Sequence, residues 1–376
     1  MRMRVVASGY VFDAREGEAW QRSCEFTAVT RLGDGTLLVT SRRGSARESV
    51  DGHVCVFASD DEGETWEERY DGYGKATWDG VPGEEKALLI AEMPDGALLG
   101  SSLWVDRSGP PRPFVNPETT GLLPMRVCHA VSRDGGYTWS ERRQIETAPH
   151  PGASPTGPVL RLPGALAQPY EHWKEFDDPA PGRPAALLRL SADGGVSWPA
   201  FATVAADPEN KLFYWDQRLS VEPETGRLVA MFWTHDVVAG RDRDVHLAWG
   251  SPDGLHWTTP HGTGLPGQHC QPIPLGEGQL VAAYVRRKDP AGIRAILSRD
   301  FGATWEAESE VVVYESDAGT ELGATSERAI GDYWDDMIAW RVGHPRGVRL
   351  PSGEVFVVYY GGDSATKSVR WARLDT

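Results

Sequence analysis

Five near-copies of one short phrase punctuate the chain: SDDEGETW (Ser59–Trp66), SRDGGYTW (Ser132–Trp139), SADGGVSW (Ser191–Trp198), SPDGLHW (Ser251–Trp257) and SRDFGATW (Ser298–Trp305). Their aspartates, Asp61, Asp134, Asp193, Asp253 and Asp300, lie 73, 59, 60 and 47 residues apart, the loose period of a repeated supersecondary unit. The phrase has a local physical meaning. An Asp carboxylate accepts from backbone N–H groups just ahead of it, a Gly takes positive φ, and a Ser or Thr hydroxyl ties the turn again. The Trp then anchors the following strand.

A second repeat precedes the first. Apolar runs flank a glycine turn at Gly35, Gly96, Gly164, Gly226, Gly278 and Gly353, six times in all, which is a hairpin signal. Each unit reads as four antiparallel strands, with the glycine turn joining strands 1 and 2 and the Asp phrase joining strands 3 and 4. The sequence therefore predicts an all-β, six-bladed propeller. The last unit lacks an Asp phrase, and the apolar segment Arg4–Phe12 is otherwise unassigned. The expectation is that this N-terminal strand completes the last blade and closes the ring, removing open sheet edges.

Six blades of about sixty residues use nearly all of the 376 residues, so residues 1–376 are expected to form a single domain. Helix signals are nearly absent. A net charge of −16 argues against nucleic acid, whose phosphates demand a basic face. No run of 18 apolar residues occurs and the opening segment has no leader-like apolar core. Cys24, Cys55, Cys128 and Cys270 make no C-x-x-C pair and read as buried thiols. Together these favour a cytoplasmic protein that binds neither membrane nor nucleic acid, with secretion as the alternative if a leader has been removed. The oligomeric state is open.

The strand order assigns a face to every loop. The glycine turns and Asp phrases share one end, so their aspartates are structural. The other end gathers the residues entering strand 1 and leaving strand 2, and it is the candidate site. Entering strand 1 are Glu25, Glu84, Glu85, Lys86, Thr156, Asp216, Gln217, Arg218, Gln268, His269, His344 and Arg346. Leaving strand 2 are Arg42, Arg43, Trp104, Tyr170, Glu171, Lys174, Trp233, His235, Asp236, Arg286, Arg287, Tyr359 and Tyr360. Carboxylates for acid–base work, cations for an acidic substituent and flat aromatic faces suit a sugar. There is no G-x-S-x-G elbow, P-loop, H-E-x-x-H or dinucleotide fingerprint, and no spacing demands a metal or cofactor.

The repeated S-x-D-x-G-x-T-W phrase resembles the Asp box of the sialidase (neuraminidase) superfamily, and the likeness covers essentially the whole chain. That resemblance implies a six-bladed propeller and an exo-acting, retaining glycoside hydrolase. It also implies three arginines clamping a substrate carboxylate, a tyrosine nucleophile partnered by a glutamate, and an aspartate acid/base. The family's first arginine belongs to an F/Y-R-I-P signature, where this chain has CEFTAV with Glu25 at the arginine position. This counts against sialic acid and leaves another acidic sugar as a candidate.

Asp216 and Glu171 are the expected carboxylate pair, with His235 as an alternative acid/base, and the resemblance leaves Tyr360, Tyr359 and Tyr333 as the tyrosine candidates. Arg218 and Arg287 are the expected orienting cations, and Arg42 or Arg43 further anion contacts. Glu85, Trp104, Lys174, Gln217, Trp233, Asp236, Gln268 and His344 complete the expected substrate-binding ring. Two other chemistries fit the same residues: a polysaccharide lyase acting on a uronate, and a carbohydrate-binding propeller without catalysis.

Overall fold

The computed structural model describes residues 3–72, 77–320 and 329–376, whose strands form five sheets around a central channel. Four sheets stand alone. Their innermost strands are Gly83–Glu92, Ser154–Pro155 with Leu160–Leu162, Leu212–Val221 and Cys270–Gly276. The fifth sheet has eight strands, uniting Ser23–Arg31, Leu37–Gly44, His53–Ser59 and Glu67–Tyr70 with Val342–Arg349, Val355–Gly362, Lys367–Asp375 and Arg4–Phe12.

The sequence predicts six separate blades, whereas the first and last sets of strands are joined here. The join is narrow: one parallel bridge between Ser23 and Lys367, with the Lys367 N–H donating to the Arg22 carbonyl at 2.8 Å. Arg4–Phe12 pairs antiparallel with Lys367–Asp375, from Arg4↔Asp375 to Phe12↔Val369.

The sheets pack face to face, so inner strands buried on both faces read as unbroken apolar runs rather than alternating ones. Leu228, Val229, Ala230, Met231, Phe232 and Trp233 are all fully buried. Even residues of this run face one neighbouring sheet and odd residues the other. Leu228, Ala230 and Phe232 pack with Leu188 and Ala202, whereas Val229 and Met231 pack with Leu280 and Ala282.

All five Asp phrases share one hydrogen bond, from the Ser hydroxyl to the Asp carboxylate across the turn. In the first, Ser59 Oγ donates to Asp61 Oδ1 at 2.8 Å, the Thr65 N–H and hydroxyl donate to the two Asp61 oxygens at 2.9 and 2.6 Å, and Trp66 Nε1 donates to the Gly63 carbonyl at 3.0 Å. The strand pairings place these turns at the end opposite the strand-1 entrances. Ser59 pairs with Leu37, which pairs with Arg31, while Ser23 at the other end pairs with Gly44.

One element departs from the sequence expectation. Residues Ile330–Ala339 form an α-helix, α1, over the mouth of the channel. The Asp332 carboxylate accepts the Ala329 N–H at 2.7 Å and caps its first turn. Tyr333, Trp334 and Met337 fall at helical spacing and pack on Trp215 and Trp233, with Trp340 just beyond the helix.

All four cysteines are buried and free. Among the described residues no helix is long and apolar enough to cross a membrane, and no group of three or more His, Cys, Asp and Glu is placed to hold a metal ion.

Candidate active site

Four innermost strands share one irregularity at the strand-1 entrance. Their register shifts between Glu25 and Ala28, Glu85 and Ala87, Trp215 and Arg218, and Gly343 and Arg346. Such bulges re-aim a side chain out of the strand's alternation. Phe26, Asp216 and His344 sit at three of them with φ of 56°, 48° and 48°. This left-handed backbone costs on the order of 1–3 kcal/mol per non-glycine residue and persists only where the surroundings hold it.

The surroundings do hold it. The Phe26 N–H donates to His344 Nδ1 at 3.0 Å, and the Asp216 N–H donates to Glu171 Oε2 at 2.7 Å. The bulged side chains Phe26, Lys86, Asp216 and His344 all line one cavity of about 140 Å³. Glu171, His269 and Trp215 share it, and α1 roofs it with Trp334 and Met337.

The two carboxyl groups in this cavity are driven to opposite protonation states. Burial and the neighbouring Asp216 anion push Glu171 up to about 8. Burial alone would raise Asp216 as well, but it is held well below the usual carboxylate range by His269 and Arg218. His269 Nε2 lies 2.8 Å from Asp216 Oδ2, and Arg218 Nη2 lies 3.5 Å from Oδ1. Burial lowers His269 to about 4 and His344 well below its ordinary value. His269 is thus a neutral imidazole donating to Asp216. His344 uses Nδ1 as acceptor for Phe26, which leaves its proton on Nε2.

Glu25 is fully buried and does not line the cavity. Burial would raise its carboxyl, but Lys367 and Arg47 pull it down to about 2. Lys367 Nζ donates to Oε1 at 2.8 Å, Ser23 Oγ donates to the same oxygen at 2.8 Å, and Arg47 Nη1 donates to Oε2. Glu25 therefore fixes Arg47, which itself lines the cavity with its guanidinium over the Phe26 ring at 4.8 Å.

Of the expected ring, the cavity brings together Asp216, Glu171 and His344, with Arg218 in contact behind Asp216. The structure places the rest elsewhere. Arg42 is buried against Glu84 and the Ala46 and Ser49 carbonyls, and Arg43 turns away to Glu68 and Asp71. Glu85 pairs with Arg142, Trp104 packs on Trp78 and Arg126, and Lys174 donates to the Ala180 carbonyl. Gln217 spans two carbonyls, those of Tyr170 and Leu187, and Asp236 accepts the Ala239 N–H in its own turn.

Trp233, His235 and Gln268 converge on Asp242, which also accepts the Tyr333 hydroxyl at 2.8 Å and so tethers α1. Arg287 donates to Gln268 Oε1 at 2.9 Å and lies 3.6 Å over the Trp340 ring. Tyr360 is fully buried, its ring 5.4 Å from that of His344, and does not line the cavity.

Sequence reasoning missed Phe26, Arg47, Glu48, Asp242, Trp334 and Met337. Only the last two carried a usable signal, the helical spacing of Tyr333, Trp334, Met337 and Trp340. Arg47 and Glu48 come from the turn after Leu37–Gly44 and carry no pattern of their own.

No protein-family model matches the sequence, and no curated protein does. Solved structures do resemble the fold. A protein of unknown function from Dyadobacter fermentans superposes with a TM-score of 0.74 at 18% identity, covering 99% of both chains. The Hadza microbial sialidase Hz136 gives 0.65 at 16% identity over 97% of this chain and 68% of that one. The α-L-arabinanase of Penicillium chrysogenum, solved with arabinobiose, gives 0.61 at 12% identity over 99% and 98%. At such identities the likeness establishes an all-β propeller fold.

Proposed function

We propose that this chain is a sialidase-like glycoside hydrolase acting on a carbohydrate chain end, built as one six-bladed propeller. In this reading the eight-stranded sheet is two blades bridged at Ser23 and Lys367, and Arg4–Phe12 completes the last blade. The observation that carries the function is the Glu171–Asp216 pair. Two carboxyl groups fastened in one cavity and held in opposite protonation states are an acid and its anionic partner. The sialidase and arabinanase likenesses support a glycan substrate.

Glu171 gives its proton to the glycosidic oxygen as the anomeric C–O bond breaks. Asp216, ionised and oriented by His269 and Arg218, attacks the anomeric carbon. The 2.7 Å bond from the Asp216 N–H to Glu171 keeps the two carboxyl groups close, which favours the short-separation, retaining arrangement over one with room for an intervening water. Esterified Asp216 no longer carries the charge that, together with burial, raises Glu171, so Glu171 loses part of its upward shift and acts as the base that deprotonates the incoming water. Water's hydroxyl ends on the sugar and its proton on Glu171, which resets the site. A cavity of about 140 Å³ is smaller than the roughly 300–1,000 Å³ of sites for larger ligands and suits one terminal ring, hence exo action.

The test is a panel of aryl glycosides and oligosaccharides with wild type, Glu171→Gln and Asp216→Asn. Asp216→Asn is expected to abolish turnover on all of them, and unchanged turnover by that variant removes Asp216 from the catalytic set.

A further inference from the structure

We infer that the ring this cavity accepts is that of an uncharged sugar, an inference that deepens the glycosidase proposal and rests on it. The charges on the cavity wall balance among the described residues. Its cations are Arg47 and Lys86, and its anions are Glu48 and Asp216. Glu171 is protonated, and burial keeps His172, His269 and His344 neutral.

Both cations are already paired with carboxylates of the protein. Arg47 is engaged by Glu25 through Nη1, by Glu48 at 3.4 Å from Nε, and by the Met337 sulfur at 3.9 Å from Nη2. Lys86 Nζ lies 2.5 Å from Glu48 and 3.1 Å from Glu84, and 4.3 Å over the Phe114 ring. A carboxylate-bearing sugar would shed its hydration beside Glu48 and Asp216 without gaining a bidentate partner, and an uncompensated buried charge is strongly unfavourable.

The arginines that could have converged on an anion are occupied as well. Arg42 and Arg43 face carboxylates outside the cavity, Arg218 serves Asp216, and Arg287 is stacked on Trp340. What the wall does offer is apolar. Trp173, Trp215 and Trp334 line it and present ring faces and edges suited to the C–H surface of a neutral furanose or pyranose.

The experiment measures binding by calorimetry and thermal shift to Glu171→Gln, which preserves the charge balance of the cavity. The probes are methyl glycosides in matched pairs, galactoside with galacturonide and glucoside with glucuronide, together with methyl arabinofuranoside and methyl N-acetylneuraminide. Wild-type hydrolysis of the same set is followed by mass spectrometry. The expected result is that at least one neutral glycoside binds and that every acidic probe binds at least tenfold more weakly than it. An acidic probe within tenfold of the best neutral one, a panel in which no neutral ring binds, or an unsaturated uronide product overturns the inference. Neutral binding without hydrolysis by wild type leaves it standing and sinks the hydrolase proposal instead.

Discussion

The backbone N–H of Asp216 donates to the Glu171 side chain at 2.7 Å, so the strained residue and the raised carboxyl hold each other in place. Each supports the state of the other. Without Glu171 the left-handed backbone at Asp216 loses its hydrogen-bond partner. Without the Asp216 anion, Glu171 loses one of the two causes that raise it to about 8.

Activity should follow the protonation of that pair. A general acid raised to about 8 is competent below that value, so kcat is expected to be flat through neutral pH and to fall as pH rises through about 8. Glu171→Gln should lower kcat/KM for glycosides with poor leaving groups by about 10²–10⁴-fold, largely spare kcat/KM for those with activated aryl leaving groups while slowing their second step, and erase the alkaline limb. A pH–rate profile on one aryl glycoside and one alkyl glycoside checks both. A retained alkaline limb in the variant would assign the acid elsewhere.

The retaining course makes a stereochemical prediction. Proton NMR of the first product formed should show the anomer of the substrate, with mutarotation appearing only later. Initial inversion would place a water between the carboxylates and reassign Asp216 from nucleophile to base.

Glu85 should make the fold less stable as pH rises. It is fully buried against Arg142, and burial raises its carboxyl from the ordinary 4.5 to about 7. A group with a raised folded-state value favours the fold in its protonated form, so stability is lost as pH climbs from about 4.5 to about 7. Glu85→Gln removes that dependence. Its stability relative to wild type is expected to rise by roughly 3 kcal/mol across that window, measured by denaturant unfolding at several pH values. An unchanged difference between the two proteins would contradict the assignment.

Glu25 should matter to folding rather than to substrate choice. Glu25→Gln leaves Arg47 and Lys367 buried without their shared anion, and the expected loss is about 3–5 kcal/mol. Because its carboxyl is held near 2, the contribution is present above the ordinary 4.5 and disappears only as pH falls toward 2. Thermal unfolding at pH 7 and pH 3 tests the sign. Equal midpoints for variant and wild type at pH 7 would remove Glu25 from the framework.

The Asp phrases should be separable from catalysis. In the second, Asp134 accepts from Ser132 Oγ at 2.9 Å and from the Thr138 N–H and hydroxyl at 2.9 and 2.5 Å. Asp134→Ala is expected to cost about 1–3 kcal/mol of stability with kcat per folded molecule unchanged. A change in kcat at full folding would mean that this end of the propeller reaches the site.

The fold was legible because each Asp phrase encodes its own hydrogen bonds within eight residues and needs no distant partner. The carboxylates were legible for a related reason. Once the turns set the strand register, Asp216 and Glu171 fell at an entrance to strand 1 and an exit from strand 2. The bulges were not legible. Left-handed backbone usually announces itself through glycine, but here Phe26, Asp216 and His344 adopt it, with the Phe26 and Asp216 N–H groups met by His344 and Glu171 from strands distant in sequence. Arginine content alone misled for a similar reason. Arg42 and Arg43 are adjacent in sequence, yet strand alternation sends one to Glu84 and the other to Glu68, and neither to the cavity. Arg47 reaches it from a turn because the buried Glu25, at the entrance of the inner strand, anchors its guanidinium.

The pairing of Arg4–Phe12 with Lys367–Asp375 imposes an order on biosynthesis. Arg4–Phe12 is translated well before the strand it pairs with, so this pairing cannot form until Lys367–Asp375 has emerged from the ribosome. The hairpins within each other sheet bring together strands close in sequence and close as soon as both arms are made. The contact between Arg4–Phe12 and Lys367–Asp375 is therefore among the late events of folding, and the loop it closes is among the costliest in entropy.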